Sequence, residues 1–231
     1  MRELIAELAT AHGGDVALAE DMVAAAADSG AHTVKIQSYT LSRLNPKDPQ
    51  ADWLRQAHLD VKAHERIIRA CERHHVQFLS TPSDAKALAL LRRLGRLRFK
   101  IASPHRTAEW WMPRADEEFI VSAAWGERSD PHCRRPTLIT TVPLYPTPLE
   151  CVYRADLLQG WSDHTIGTEA CCHMISRGAT IVEAHFCLPG RSRQMPWDKN
   201  PSEFREIRDW ADKVETMTTG VSHVFRERWS A

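Results

Sequence analysis

The sequence predicts an α/β chain folded as a single (β/α)8 barrel, the TIM-barrel architecture, over residues 1–231. Three observations carry this. Eight strand-like apolar runs alternate with helix-like stretches along the chain. Polar residues recur at the carboxyl end of nearly every strand run, where barrels of this kind place their chemistry. No glycine-rich GxGxxG follows the first strand, which disfavours the nucleotide-binding form of the competing open, doubly wound sheet.

Leu4-Ile5-Ala6-Glu7-Leu8-Ala9 is the first strand run. The turn His12-Gly13-Gly14 follows, with Asp15 as a helix cap, and Val16 to Ser29 has apolar residues at helical spacing before the stop signal Gly30. Thr33 to Tyr39 is the second strand, with Lys35 and Gln37 on the face opposite Val34 and Ile36. A long polar loop, about Thr40 to Asp60, leads to an amphipathic helix at Val61 to His75. Val76 to Pro82 is strand three, Asp84 to Leu94 a helix closed by Gly95, and Leu97 to Ser103 strand four. Thr107 to Ala115 predicts a short helix with Trp110 and Trp111 as packing residues. Strands five and six fall within Glu118 to Trp125 and at Thr137 to Val142. The link from Gly126 to Pro136 is polar and holds two prolines, so the helix between strands five and six is abbreviated. Leu149 to Leu158 is a weak helix, Trp161 to His164 strand seven, Thr168 to Arg177 a helix closed by Gly178, and Thr180 to Phe186 strand eight. Pro201-Ser202-Glu203 opens a terminal helix that runs to about Met217.

The totals exclude several function classes. Lys+Arg and Asp+Glu are equal at 30 each, so no basic excess points to nucleic acid or an anionic membrane. No apolar run approaches the ~20 residues of a membrane span. The N-terminal run carries an acid, Glu7, and does not read as a signal peptide. The six cysteines form no CxxC pair and read as reduced, mostly buried thiols, so the cytoplasm is the expected compartment. Of the twelve histidines, His74, His75 and His132 look like surface residues.

The stretch from Gly160 to Phe186 concentrates the candidates. Two apolar runs each end in a histidine, His164 and His185. If their strands are parallel neighbours, both imidazoles reach the same sheet edge, where with a nearby carboxylate they can hold a divalent metal. The alternative is a satisfied core histidine at each position. Along the same edge stand Glu7, His12, Lys35, Gln37, Ser80, Thr81, Lys100, Ser103, Ser122, Tyr145, Ser162, Asp163 and Glu183. Two lysines inside apolar strands are costly to bury without negative partners. Either they pair with Glu7 or Glu183, or they form an anion site with the Ser and Thr hydroxyls. A Schiff base between one lysine and a carbonyl substrate is a third reading.

The ordered set Ile5-Ala6-Glu7, Gly13-Gly14-Asp15, Gly30-Ala31 with Val34-Lys35-Ile36-Gln37, Ser80-Thr81-Pro82, Lys100-Ile101-Ala102-Ser103, Leu144-Tyr145-Pro146-Thr147-Pro148, Ser162-Asp163-His164-Thr165 and Glu183-Ala184-His185-Phe186 resembles the sialic acid synthase (N-acetylneuraminate synthase) family. The resemblance implies a (β/α)8 barrel and a transferase that condenses phosphoenolpyruvate with the open-chain aldehyde of a sugar or sugar-like acceptor and releases phosphate. It implies a divalent metal, manganese or magnesium, held by His164 and His185, with Glu7 nearby. It implies phosphoenolpyruvate binding by Lys35, Thr81, Lys100, Ser103, Ser122 and Ser162, and an acceptor side at Tyr145, Glu183 and Gln37. Glu7, Glu183 and Lys100 are then the catalytic candidates.

The departures point to a rebuilt acceptor site. Ala11-His12 stands where the family has Asn-His, and Ser122-Ala123-Ala124-Trp125 where it has Ser-Thr-Gly-Met. Thr140, Thr141 and Pro143 replace a His-Cys pair and an asparagine, and Pro104-His105 follows Ser103. Pro189-Gly190-Arg191-Ser192-Arg193-Gln194 offers no acid for sugar hydroxyls. The family's C-terminal antifreeze-like domain has no counterpart, so a homodimer would need a different interface. These changes imply a divergent member with a different acceptor, an aldehyde on a nucleoside or an unusual sugar, in a specialised pathway. Arg191 and Arg193 either read a phosphate or carboxylate on that acceptor or are solvated loop residues. Two other functions compete: a metal-dependent aldolase or lyase that does not use phosphoenolpyruvate, and a non-catalytic barrel subunit.

Overall fold

The computed structural model describes residues 2–127 and 136–229. The elements follow the order β1 (Glu3–Ala9), α1 (Val16–Asp28), β2 (Thr33–Ser38), α2 (Ala51–Gln56), α3 (Val61–Arg73), β3 (Gln77–Pro82), α4 (Ala85–Arg93), β4 (Arg98–Ile101), β5 (Glu118–Ala124), β6 (Thr137–Thr141), α5 (Leu149–Arg154), β7 (Gly160–Asp163), α6 (Glu169–Ser176), β8 (Ile181–His185) and α7 (Pro201–Trp229). The eight strands are parallel and lie in the order β3-β2-β1-β8-β7-β6-β5-β4. β3 and β4, at the two ends of that order, lie side by side, so the sheet curls into a nearly closed barrel. No ladder joins β3 to β4 among the described residues. A side chain bridges them instead: Arg98 of β4 donates to Gln77 Oε1 of β3 at 3.1 Å, and it also reaches Glu3 of β1, at 2.7 Å to Oε1 and 2.6 Å to Oε2.

Alternation along the strands builds two apolar layers. Ile5, Leu79, Ile120, Ile139 and Ile181 form one cluster inside the barrel. The opposite strand faces pack under the helices; Val34, Ile36 and Trp161, for example, join Met22, Ile67 and Phe204. Two positions along from the inner isoleucines and leucine, the same inward face carries Glu7, Thr81, Ser122 and Glu183. The strand period therefore lifts polar groups above a branched apolar floor.

Three sequence readings need correction. Residues 107–115 form no helix; a 3-10 turn at Ser103–His105 gives way to irregular chain. Pro104 sits at the start of that turn, and Pro113 biases Met112 away from helical backbone. Trp111 fills the space a helix would cover: it is fully buried, its ring lies 5.2 Å from Phe119, and its Nε1 donates to the His105 carbonyl at 2.9 Å. The polar loop at 40–60 contains a 3-10 turn and α2. The last helix extends well past Met217, to Trp229. The abbreviated connection between β5 and β6 falls largely on residues 128–135, which lie outside the described residues, as do His132 and Cys133.

α2 seats on the turn after β1. A Cβ at Gly14, whose φ is +85°, would overlap the Gln56 carbonyl oxygen, and one at Gly13 would lie 2.9 Å from the Trp53 ring. Glycine is thus what lets α2 approach this turn. Trp53 Nε1 donates to Thr10 Oγ1 at 3.0 Å, and the Tyr39 hydroxyl donates to the Leu54 carbonyl at 2.7 Å. The cysteines Cys71, Cys151, Cys171, Cys172 and Cys187 are free thiols. Among the described residues no helix is long and apolar enough to cross a membrane.

Candidate active site at the barrel mouth

Inside the barrel, the lysines meet two carboxylates. Lys35 Nζ pairs with Glu7 and, at 3.2 Å, with Glu183, and donates to Thr81 Oγ1 at 3.0 Å. Lys100 Nζ donates to Ser122 Oγ at 2.6 Å and lies 3.7 Å from Glu183 Oε1. Ser162 donates to the same Oε1 at 2.9 Å. All seven side chains are buried. The lysines thus pair with Glu7 and Glu183, and the hydroxyls of an anion site stand alongside them. Burial works to raise the Glu183 carboxyl, but Lys100, Lys35 and Ser162 outweigh it and hold it at about 2. Burial raises Glu7 above its usual range despite Lys35, and the Glu183 charge adds to that rise. Burial pulls Lys100 down to about 8 against the attraction of Glu183.

Above this network the two histidines converge. Their ring centroids are 5.4 Å apart, and the Tyr145 ring stands 4.0 Å from His164 and 6.5 Å from His185. His164 Nδ1 donates to the Val142 carbonyl at 3.2 Å, which leaves Nε2 with its lone pair. His185 Nδ1 faces Asp198 Oδ1 at 3.7 Å. Burial lowers both imidazoles below their usual range, so both are neutral near pH 7. Two neutral imidazoles, one anchored through Nδ1, suit a divalent cation, and Glu7 Oε1 nearby is buried with no hydrogen-bond partner. Among the described residues no group of three His, Cys, Asp or Glu is arranged to hold a metal, so the remaining positions would fall to water or substrate.

A cavity of about 370 Å³ opens beside the histidines. Gln37, Tyr145 and His185 line it, together with groups that sequence reasoning missed: Gln50 just ahead of α2, Leu54 within it, and Met195, Trp197 and Asp198 from the loop after β8. Arg193 lines it too, whereas Arg191 pairs with Asp21 at the surface. Further along the same loop, Asp198 puts a carboxylate in the cavity wall. Trp197-Asp198-Lys199 was the available signal, an acid and a base beside an aromatic just ahead of the Pro201 helix start.

Other sequence candidates lie elsewhere. Ser103 opens the 3-10 turn after β4, and its hydroxyl takes no part in the lysine network. Ser80 faces outward and bonds to Ser38 at 2.6 Å, which in turn bonds to His64 at 2.7 Å. Asp163 also faces away, accepting from Trp161 Nε1 at 2.9 Å and pairing with buried Lys199 at 2.9 Å. His12 is buried in the first turn, where its Nδ1 accepts the Gly14 N–H at 3.0 Å.

A barrel with lysines, carboxylates and paired imidazoles at the carboxyl ends of its strands is organised around a small-molecule site. The chain belongs to the NeuB family, whose sequence profile matches residues 22–113 and 132–222. N,N'-diacetyllegionaminic acid synthase of Campylobacter jejuni is 29% identical over 226 residues, covering 80% of this chain and 67% of that protein. The spore coat polysaccharide biosynthesis protein SpsE of Bacillus subtilis is 29% identical over 267 residues, covering 97% of this chain and 71% of that protein. Among solved structures, the N-acetylneuraminic acid synthetase of Leptospira borgpetersenii superposes with a TM-score of 0.80 at 20% identity, covering 99% of this chain and 92% of that one.

Proposed function

We propose that this protein joins phosphoenolpyruvate to the aldehyde of a sugar or sugar-like acceptor, forming a C–C bond and releasing phosphate. The observation that carries the reading is the meeting of Lys35 and Lys100 over Glu183, ringed by hydroxyls, beneath two imidazoles at one sheet edge. Family membership and relatives named as N,N'-diacetyllegionaminic acid synthase and pseudaminic acid synthase support it.

Lys35 and Lys100 hold the phosphate and carboxylate of phosphoenolpyruvate, with Thr81, Ser122 and Ser162 as hydroxyl donors. C3 of phosphoenolpyruvate attacks the aldehyde carbon, water adds at C2, and phosphate leaves by C–O cleavage. Glu7, whose carboxyl burial raises, carries the proton released by that water to the former aldehyde oxygen, while Glu183, held ionised, fixes the two lysines. Tyr145 and Gln37 orient the acceptor in the cavity. His164 and His185 would hold a divalent cation, Mn2+ or Mg2+. Bound there, it supplies Lewis acidity toward a carbonyl oxygen. The free thiols fit a reducing compartment such as the cytoplasm.

The test is phosphate release from phosphoenolpyruvate with manganese and a panel of aldehyde sugars and nucleosides, run beside His164→Ala and Lys100→Ala. Acceptor-dependent release that both variants lose is the expected result. Acceptor cleavage or condensation without phosphate release would overturn it in favour of an aldolase.

A further inference from the structure

The wall of the cavity at the barrel mouth carries both signs of charge. His185 and the buried Asp198 face each other, and Asp198 Oδ2 also accepts the Met195 N–H at 2.8 Å. Arg193 lines the same cavity. Its backbone N–H donates to the Ala11 carbonyl at 2.9 Å, tying the loop after β8 to the turn after β1. Its guanidinium carbon lies 4.7 Å from the centroid of the Trp53 ring. Trp53 is itself fixed by its bond to Thr10 and by the close approach of α2 to Gly13 and Gly14. The guanidinium therefore lies over an anchored aromatic surface.

What it lacks is an anion. Among the described residues no carboxylate lies within ion-pair distance of Arg193, although Arg191, in the same loop, has Asp21 at 2.5 Å. Asp198 lines the same cavity and senses the Arg193 charge, yet the two do not pair. A half-buried cation, oriented by stacking and left unpaired in a cavity wall, keeps its hydrogen-bonding fork free for a ligand.

We propose that Arg193, seated on Trp53, reads an oxyanion, a carboxylate or phosphate, carried by the acceptor at the end remote from its aldehyde. This deepens the synthase reading and rests on it for the word acceptor. The fork gives geometry that a point charge does not, so the site selects planar or tetrahedral oxyanions over neutral sugars. Asp198, 3.7 Å from His185, sets the direction: it repels the anion from the histidines and leaves that side for the reacting carbon.

The experiment is calorimetric titration of the wild type with glucose, glucuronate and glucose 6-phosphate, with and without saturating phosphoenolpyruvate. It is repeated on Arg193→Gln, Arg193→Lys and, as a control, Arg191→Gln. The expected result is that one or both anionic sugars bind the wild type about ten- to hundredfold more tightly than glucose, and that Arg193→Gln removes the preference. Arg193→Lys restores part of it, and Arg191→Gln leaves it unchanged. The arm that responds distinguishes carboxylate from phosphate. No anionic preference in the wild type, binding of no sugar at all, or a preference that survives Arg193→Gln would overturn the proposal. The last outcome, with competition by phosphoenolpyruvate, would place the anion on the barrel lysines instead. Phosphoenolpyruvate titrated alone separates the two readings: its failure to bind sinks the synthase, whereas the sugar preference reports on Arg193 either way.

Discussion

The two barrel lysines are not equivalent, and Lys35→Met exposes the difference. Methionine keeps most of the side-chain volume and removes the charge. Glu183 would retain Lys100 at 3.7 Å and the Ser162 hydroxyl at 2.9 Å. Glu7 would retain no ion-pair partner, and its Oε1 already has no hydrogen-bond donor. Breaking a buried pair on one side costs about 3–5 kcal/mol because an uncompensated charge remains. With a urea slope of about 2–3 kcal/mol/M, that moves the unfolding midpoint down by about 1–2.5 M. Lys100→Met should cost less, since Glu183 keeps Lys35. Removing the orphaned charge as well, in Lys35→Met/Glu7→Gln, should restore at least half of the loss, a coupling of about 2 kcal/mol in a double-mutant cycle. The assay is urea unfolding followed by the fluorescence of the eight tryptophans. A Lys35→Met protein within about 1 kcal/mol of wild type, or a double variant no more stable than the single, would refute the assignment of Lys35 to Glu7.

Gly14→Ala should destabilise by more than the usual ~1 kcal/mol for a strained left-handed residue, because its Cβ also collides with Gln56; urea unfolding measures the loss, and a neutral effect would mean α2 is not seated as described. Lys199→Met should cost about 3–5 kcal/mol, since fully buried Asp163 loses its partner, and Lys199→Met/Asp163→Asn should recover much of it in the same assay. Asp84→Ala removes the cap of α4 and two bonds from Thr40 and should cost about 1–2 kcal/mol at pH 7. Burial works to raise the Asp84 carboxyl, but the N–H groups of Ala87, Thr40 and Lys86 outweigh it and hold it below its usual 3.8. Its contribution is therefore present above that value and is lost as pH falls through the lower folded value, so the gap between wild type and variant should narrow in acid unfolding curves. His164→Ala should weaken manganese binding at least about tenfold by calorimetry, with unchanged affinity telling against the imidazole pair.

The strands were the legible part of this chain. Period-2 alternation placed Lys35 and Gln37 opposite Val34 and Ile36, and put Glu7, Lys100 and Glu183 at one edge. Strand bounds shifted by only a residue or two at most ends. What the sequence hid were contacts with no period. α2 is short and lies in a proline-containing polar stretch, so nothing in its local pattern announces a helix that buries against Gly13 and Gly14. Asp198 and Arg193 reach the cavity through a loop, and no spacing rule connects either to His185 or Trp53. That Lys35 and Lys100 meet over Glu183 likewise depended on distances between strands that only the folded register supplies.

Because β3 and β4 touch without a backbone ladder among the described residues, the barrel resembles a hoop with one unsewn lap joint. Lys35 and Lys100 stand on β2 and β4, the two neighbours of β3, so one ligand gripped by both ammonium groups would clasp that joint from inside. Amide hydrogens along β3 and β4 should then exchange with solvent more slowly once the anion is bound. Those of β1 and β8, laced on both flanks already, should hardly change.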